Sequence, residues 1–370
     1  MQIWLDGERN DSLENVSRIT PGRSGPSDAR TAARVGIKDV ARLADVSPGT
    51  VSNVLNHPER VSPARRAAVE QAIGQLGYIR HEAARHLRAG YSRTVGLLLL
   101  DAWNPGFIEV ARGVEDTTSS RGWTVLLSNS ARDSEREQTY LRLFAEGRLA
   151  GLIVVPHDLL AEDLHRIRTG GAPVVVVDRD ESGADSMSVA VDDVTGGQLA
   201  AGHLIALGHR HLAFVGDEAA AAPVHDRLTG VRKAIAEAEV DVRLDVLPAE
   251  LTVDAGRARG EALAAMPPGR RPTAVTAAID LLAFGVLQAL LQHGIRVPQD
   301  VSLVGYDDIP FARQLSVPLT TVRRPHYAMG TTAAQMLTSV LSGETPAHRH
   351  LVFQPELVVR ESTGVPALSG

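Results

Sequence analysis

Apolar residues between residues 36 and 80 recur at helical spacing in three short stretches, which predicts three helices. The inward positions are Ile37, Val40, Leu43 and Ala44, then Val51, Val54 and Leu55, then Val69, Ala72, Ile73 and Leu76. Ser47 before Pro48 is typical of a helix start, Ser62 before Pro63 repeats that signal, and Gly77 is typical of a helix end. Two helices joined by a tight turn and closed by a third form the helix-turn-helix arrangement, although any small helical bundle would show the same periodicity.

From Thr94 onward the pattern changes to short, continuously apolar runs separated by helical stretches. The runs lie at 95–100, 123–128, 151–155 and 173–178, and a second series lies at 211–217, 273–279 and 301–308. Continuous hydrophobicity predicts strands that are covered on both faces, as in the parallel sheets of a doubly wound α/β fold. Two series predict two lobes. Ligands bind beyond the carboxyl ends of such strands, so we expect a cleft between the lobes.

Residues 1–35 have no sustained periodicity, which predicts a disordered extension. Three interpretations stay open for this extension: a mis-assigned start codon, a flexible arm without a partner, or an arm that contacts DNA. The first residues lack the apolar region of a secretory signal, and no apolar run approaches the roughly 18 residues of a membrane helix. We therefore expect a cytoplasmic protein with no membrane partner.

Composition narrows the possible chemistry of the 370-residue chain. The sequence contains no cysteine, which excludes disulfides, thiolate metal ligands and a cysteine nucleophile. It also lacks a nucleotide-binding glycine motif between a strand and a helix. His203, His209 and His211 have no clustered carboxylate beside them, so a metal site is not expected. We predict a protein that is not an enzyme and needs no cofactor.

The net charge of −6 conceals an asymmetry along the chain. Residues 36–93 contain nine Lys and Arg against five Asp and Glu, a formal charge of +4, while residues 1–35 are neutral. Residues 94–370 therefore carry −10. A basic segment on an acidic body indicates that contact with nucleic-acid phosphates is confined to one end of the molecule.

Many motifs occur in an order and at a spacing that resemble the lactose-repressor (LacI/GalR) family of transcription regulators. They are IKDVARLADVSPGTVSNVLN, VSPARR, LGYIRHEAARHLRAGYSRTVGLLL, NPGF, VDR, DRLTG, VGYDDI and PLTTVRRP, and together they span nearly all of residues 36–362. The resemblance implies a repressor that binds a pseudo-palindromic DNA operator as a homodimer or a dimer of dimers. It also implies that a small-molecule effector in the cleft controls operator affinity. A transport-type solute receptor would share the two lobes but lack the basic N-terminal module.

The resemblance also implies the domain boundaries. We predict an extension at 1–35, a helix-turn-helix domain at 36–80, a hinge helix and linker at 81–93, and a periplasmic-binding-protein-like core at 94–363. The first lobe would comprise about 94–193 and 323–352, and the second about 194–322 and 353–363.

Twelve residues are predicted to contact DNA. The N-terminal residues of the second helix would face base edges in the major groove, namely Pro48, Gly49, Thr50 and Asn53. Phosphate contacts are assigned to Lys38, Ser47, Ser52 and Arg65. In the hinge, the resemblance implies that Leu87 wedges into the minor groove, with Ala84 on the same face and Arg85 and Arg88 beside it. Asn53 could instead be a solvated helix residue, and Leu87 could pack between two hinge helices.

Six residues are predicted to bind the effector. The resemblance implies that Arg227 and Asp307 contact the effector, and Asp178 and Arg179 join them by their position after a strand. Asn104 and Phe107 would line the lobe opposite Arg227 and Asp307. Each of the four charged residues could instead form a salt bridge between the lobes. The chain departs from the family at Ile279, Leu251 and Gly106, where a purine would find neither its amide partner nor its stacking ring. These departures favour a sugar, and Trp103 is a candidate for a replacement wall.

Overall fold

A computed structural model describes residues 35–78, 93–146, 149–157, 161–180, 186–217, 219 and 221–367. The described residues fall into two compact units, one within residues 1–85 and the other within residues 86–370. The extension predicted for residues 1–35 lies almost entirely outside the described residues. So does the predicted hinge helix, with Ala84, Arg85, Leu87 and Arg88.

The first unit contains the three predicted helices. They are α1 (Ile37–Leu43), α2 (Pro48–Asn56) and α3 (Pro63–Leu76). The Oγ of Ser47 accepts a hydrogen bond of 3.0 Å from the backbone N–H of Thr50, so the predicted cap of α2 is present. Ser62 precedes α3 but makes no capping bond, and Gly77 ends α3 in the left-handed conformation with φ of 59°.

Small apolar side chains form the core of this unit. Val40, Val51 and Val69 have no exposed surface. Leu43 was predicted to point inward, but 48% of it is exposed. The spacing within α1 is compatible with burial of Leu43, yet α2 and α3 cover only the side of α1 that carries Val40 and Ala41.

The second unit alternates strands and helices along its whole length. Its first elements are β1 (Thr94–Leu99), α4 (Pro105–Ser120), β2 (Thr124–Asn129), α5 (Ser134–Glu146), β3 (Gly151–Val154), α6 (Ala161–Thr169), β4 (Val174–Val177) and β5 (Ser188–Val191). They are followed by α7 (Asp193–Ala206), β6 (His211–Val215), α8 (Ala222–Ala236), β7 (Arg243–Leu247), α9 (Val253–Ala264), β8 (Ala274–Ala277), α10 (Asp280–Gln292) and β9 (Ser302–Asp307). The last are β10 (Thr320–Arg323), α11 (His326–Leu341), β11 (His350–Phe353) and β12 (Glu356–Val358).

The strands form two six-stranded sheets, one in each lobe. The first lobe has the order β11-β5-β4-β3-β1-β2, with every neighbouring pair parallel. The second lobe has the order β12-β10-β9-β8-β6-β7, in which β12 alone runs antiparallel to its neighbour. The chain passes between the sheets three times: through α7, after β10, and between β11 and β12. The predicted doubly wound fold with two lobes is confirmed.

The central strands are buried on both faces, as their continuous hydrophobicity predicted. The apolar run at 123–128 is an exception, because β2 lies at the edge of the first sheet. Leu126 and Leu127 are 49% and 47% exposed. An apolar run thus specified a strand correctly, whereas the position of that strand in the sheet decided its burial.

Candidate functional site

A cleft opens at the carboxyl ends of the strands of both sheets and encloses about 620 Å³ of space, open solvent included. The first lobe lines the cleft with Leu100, Asn104, Phe107, Arg132, Pro156, His157, Asp178 and Arg179. The remaining lining residues are Ala221, Ala222, Pro223, Val224, Arg227, Leu251, Ile279, Asp307 and Arg324. Its mixture of apolar and charged side chains suits a small polar molecule.

All six residues predicted from the sequence to bind an effector line this cleft. Asn104 and Phe107 stand at the start of α4, and Asp178 and Arg179 follow β4. Arg227 lies on α8 and Asp307 is the last residue of β9. Strand ends and helix starts therefore bring together residues that are far apart in the sequence.

Arg227 is held in place by three buried partners. Its Nε donates a 2.9 Å hydrogen bond to the carboxylate of Asp193, and its Nη1 donates one of 2.7 Å to the carbonyl oxygen of Ala278. The guanidinium lies 3.9 Å from the centre of the Tyr306 ring. Burial is the largest single influence and lowers the pKa of Arg227, but Asp193, Tyr306 and Asp307 together outweigh it, so the pKa of Arg227 is raised. Arg227 therefore presents a fixed positive charge to the cleft.

Close contact between α7 and α8 sets the position of Arg227. A Cβ atom added to Gly197 would stand 2.0 Å from the carbonyl oxygen of Arg227. A Cβ atom added to Gly230 would stand 2.0 Å from the carbonyl oxygen of Val194. Because both distances are far below van der Waals contact, only glycine permits the two backbones to approach this closely.

Asp307 links the two lobes across the floor of the cleft. Its carboxylate accepts a 3.3 Å hydrogen bond from Nδ2 of Asn104, whose Oδ1 accepts one from the backbone N–H of Gly106 at 2.9 Å. Burial raises the pKa of Asp307 to about 6. Its φ of 115° is rare for a residue with a side chain, which is a form of backbone strain found at binding sites.

Arg324 is a cleft residue that the sequence reasoning missed. It follows β10, its guanidinium forms a close ion pair with Asp178, and Nη1 lies 3.7 Å from the Asp307 carboxylate. The side chain is buried, and its Nε has no hydrogen-bond partner among the described residues. Burial lowers the pKa of Arg324 to about 9, so it still carries its charge at neutral pH. For Asp178, the salt-bridge interpretation therefore holds together with its place in the lining.

The structure also places four further positions that the sequence analysis singled out. Leu251 and Ile279 line the cleft, so the departures from the family lie in the lining itself. Trp103, the candidate wall, is 86% exposed and is not among the lining residues. A Cβ atom added to Gly106 would lie 2.7 Å from the ring of His326, which explains why this position has no side chain.

In the helix-turn-helix unit, the predicted DNA-contacting residues lie on the surface. Lys38, Ser47, Pro48, Gly49, Asn53 and Arg65 are exposed, and Thr50 and Ser52 are half-buried. The hydroxyls of Ser47 and Thr50 lie 3.0 Å apart, and the backbone carbonyl of Ser52 accepts a 2.8 Å hydrogen bond from Asn56. The start of α2 is thus open for insertion into a DNA groove.

A helix-turn-helix unit joined to a two-lobed α/β core with a charged cleft defines the class of ligand-controlled DNA-binding regulators. Residues 36–81 match the bacterial regulatory proteins of the lacI family, and residues 201–363 match a periplasmic binding protein-like domain. The chain is 33% identical over 328 residues to the HTH-type transcriptional repressor PurR of Aliivibrio fischeri (strain MJ11), an alignment that covers 88% of this chain and 97% of that protein.

Solved structures show the same architecture. A complex of the transcriptional regulator CelR with cellobiose has 31% sequence identity and a TM-score of 0.65, covering 89% of this chain and 100% of that one. The lac repressor dimer bound to operator and the anti-inducer ONPF has 26% identity and a TM-score of 0.75, covering 89% and 99%. The chain belongs to the lacI family of bacterial regulatory proteins. It is a DNA-binding transcription regulator controlled by a small-molecule effector, and it has no helix long and apolar enough to cross a membrane within the described residues.

Proposed function

We propose that this protein is a homodimeric repressor that acts in the cytoplasm, binds a pseudo-palindromic operator, and changes its operator affinity when a sugar binds in the cleft. The observation that carries this proposal is the convergence of Asn104, Arg227 and Asp307 in one cleft beside apolar Phe107. An amide, a guanidinium and a carboxylate can each bond to hydroxyl groups, and an aromatic face can cover the ring.

A sugar fits this lining better than a flat base does. Leu251 and Ile279 offer apolar contact but neither a hydrogen bond nor an aromatic ring for stacking. The cellobiose that the related CelR binds is a sugar, which supports the same chemistry here.

A thermal-shift screen of neutral and acidic mono- and disaccharides tests the effector proposal, followed by calorimetric measurement of Kd for any ligand that stabilises the protein. Arg227→Gln should weaken binding by at least about tenfold, because it removes a charged hydrogen-bond donor. Arg257→Gln is the matched control, since Arg257 is a partly exposed arginine on α9 paired with Glu261. A ligand whose Kd is unaffected by Arg227→Gln binds elsewhere.

The DNA proposal rests on the exposed start of α2. Pro48 and Gly49 have no side-chain donor, so direct base reading would depend on Asn53 and Thr50, with groove shape supplying part of the specificity. Selection from random oligonucleotides should return a pseudo-palindrome, and Asn53→Ala should relax the preference at one position in each half-site. Weak binding that salt abolishes, with no preferred sequence, would refute operator recognition.

The hinge residues lie outside the described part of the chain and remain a prediction. Leu87→Ala should reduce DNA bending and operator affinity while the oligomeric state is kept. Arg85 and Arg88 would contact phosphates beside the wedge, with Ala84 against it. Unchanged bending in circular-permutation gel shifts would remove the wedge role of Leu87.

The homodimer proposal rests on the exposed edge of the first sheet. Leu127 of β2 is exposed on the same side of the sheet as Val125, and Ile108 of α4 is also exposed. Exposed apolar residues on an edge strand are typical of a surface that a second copy covers. Leu127→Glu should shift sedimentation toward the monomer, whereas Leu143→Glu, at an equally exposed leucine of α5, should not. A dimer of unchanged affinity in Leu127→Glu would place the interface elsewhere.

A further inference from the structure

The lining of the cleft has more cationic than anionic side chains. It contains four arginines, Arg132, Arg179, Arg227 and Arg324, but only two aspartates, Asp178 and Asp307. The carboxylates that pair with Arg132 and Arg227 are those of Asp101 and Asp193, at 3.1 and 2.9 Å, and neither aspartate is a lining residue. For Arg132 and Arg227 the compensating negative charge is therefore placed behind the wall, whereas Asp178, the partner of Arg324, lines the cleft itself.

Among the residues that the structure describes, no side chain caps the starts of two helices in the lining. Helix α8 begins directly after Ala221 in the sequence, and the cleft is lined at this point by Ala221, Ala222, Pro223 and Val224. Helix α10 follows Ile279, another lining residue, but its first turn contains the buried carboxyl group of Asp280, so α8 is the stronger candidate. The start of α4 differs, because Asn104 caps it. Uncapped helix starts carry partial positive charge, which attracts anions.

Arg324 is an independent sign of a missing hydrogen-bond acceptor, although its guanidinium is paired with Asp178. Its side chain is more than nine-tenths buried in the cleft wall, yet Nε has no hydrogen-bond partner among the described residues. A buried donor without an acceptor destabilises a protein, and a charged donor does so more strongly than a neutral one. Burial lowers the pKa of the neighbouring His326, so that ring is neutral and Arg324 supplies the buried positive charge.

We propose that the effector is an acidic sugar, a polyol that carries a carboxylate or phosphate group, and that Arg324 and the uncapped start of α8 recognise this group. The inference rests on the proposed function, because it specifies the class of sugar bound in the same cleft. The hydroxyl groups would bond to Asn104, Arg227 and Asp307. Without the anionic group, Nε of Arg324 has no acceptor and the start of α8 has no side-chain cap among the described residues.

Matched ligands on the wild-type protein give the direct test. Calorimetry at low salt compares glucose with glucuronate and glucose 6-phosphate, galactose with galacturonate, and ribose with ribose 5-phosphate. In at least one set we expect an acidic member to bind about tenfold or more tightly than its neutral parent. The uronate and phosphate arms distinguish the two sources of negative charge.

Two variants extend the test to the residues. Arg324→Gln should reduce the affinity for the acidic ligand to that for its neutral parent. Because Arg324→Gln also leaves Asp178 without its partner, a second variant, Arg132→Gln, removes positive charge from the cleft at a more exposed residue. Arg257→Gln is the control that should change neither affinity. Equal loss of both ligands in Arg324→Gln would overturn the role of Arg324.

The outcomes separate this inference from the proposed function. Neutral sugars that bind as tightly as, or more tightly than, every acidic counterpart would overturn the acidic-sugar inference and leave the sugar proposal standing. A panel in which neither kind binds would overturn both. A preference for the acidic member that salt weakens and Arg132→Gln reduces would support the inference.

Discussion

The buried pair of Asp193 and Arg227 gives a quantitative test of what holds the cleft together. Both side chains are 4% exposed and their charged atoms lie 2.9 Å apart. Asp193→Ala would leave the Arg227 guanidinium in the interior with only the Ala278 carbonyl and the Tyr306 ring. Breaking one side of a buried pair costs about 3–5 kcal/mol, so we expect the free energy of unfolding to fall by about that amount.

The magnitude should depend on the stranded charge and not on the lost contact alone. The double variant Asp193→Ala/Arg227→Met should therefore recover most of the loss, because an apolar side chain of similar length tolerates burial. Glu261→Ala is the control, since it breaks the half-exposed pair of Arg257 and Glu261 and should cost less than about 0.5 kcal/mol. Urea unfolding followed by circular dichroism measures all three. An Asp193→Ala loss no larger than that of the control would refute the reasoning.

Three further predictions concern the helix contact, the pH response and the DNA-binding unit. Gly230→Ala should lower the free energy of unfolding by about 1–3 kcal/mol and weaken effector binding, because its Cβ would lie 2.0 Å from the Val194 carbonyl oxygen. The control Gly202→Ala, on α7, would place a Cβ with nothing within 4 Å and should not destabilise the protein. Burial raises the pKa of Asp307 from 3.8 to about 6, so the free energy of unfolding should fall by about 1.4 kcal/mol per pH unit as pH rises between these two values. Urea unfolding of Asp307→Asn should lack this fall, and parallel pH curves for variant and wild type would contradict the prediction. Ser47→Ala should destabilise α2 by about 1 kcal/mol, because it removes the hydrogen bond to the Thr50 backbone N–H. Unchanged hydrogen-exchange protection of the α2 amides would show that the cap is dispensable.

Local signals in the sequence were sufficient to predict the elements but not their exposure. The cap at Ser47 and the stop at Gly77 depend on residues adjacent in the chain, and both were predicted correctly. The burial of Leu43 depends on where α2 and α3 pack, and the burial of Leu126 depends on which strand lies at the edge of the sheet. Sequence periodicity contains neither kind of information.

The candidate site was predictable to the extent that it follows the ends of strands. Asp178 directly follows β4 and was predicted from that position, whereas Asp307 ends β9 and was predicted from the family resemblance. Arg324 and Arg132 also follow strands, β10 and β2, so their positions after the carboxyl ends of strands are the sequence signal that identifies them. Asp193 could not be identified, because its role arises from the packing of α7 against α8.

The edge positions of β11 and β12 have a consequence for synthesis of the protein. These two strands lie only a few residues apart near the end of the chain, and each completes a different sheet. A nascent chain that has left the ribosome only as far as α11 therefore exposes an unfinished edge on both sheets at once, which is a hazard for aggregation. Both sheets therefore gain their last strand within the same short stretch of chain, so neither lobe is complete until the segment after α11 has been made.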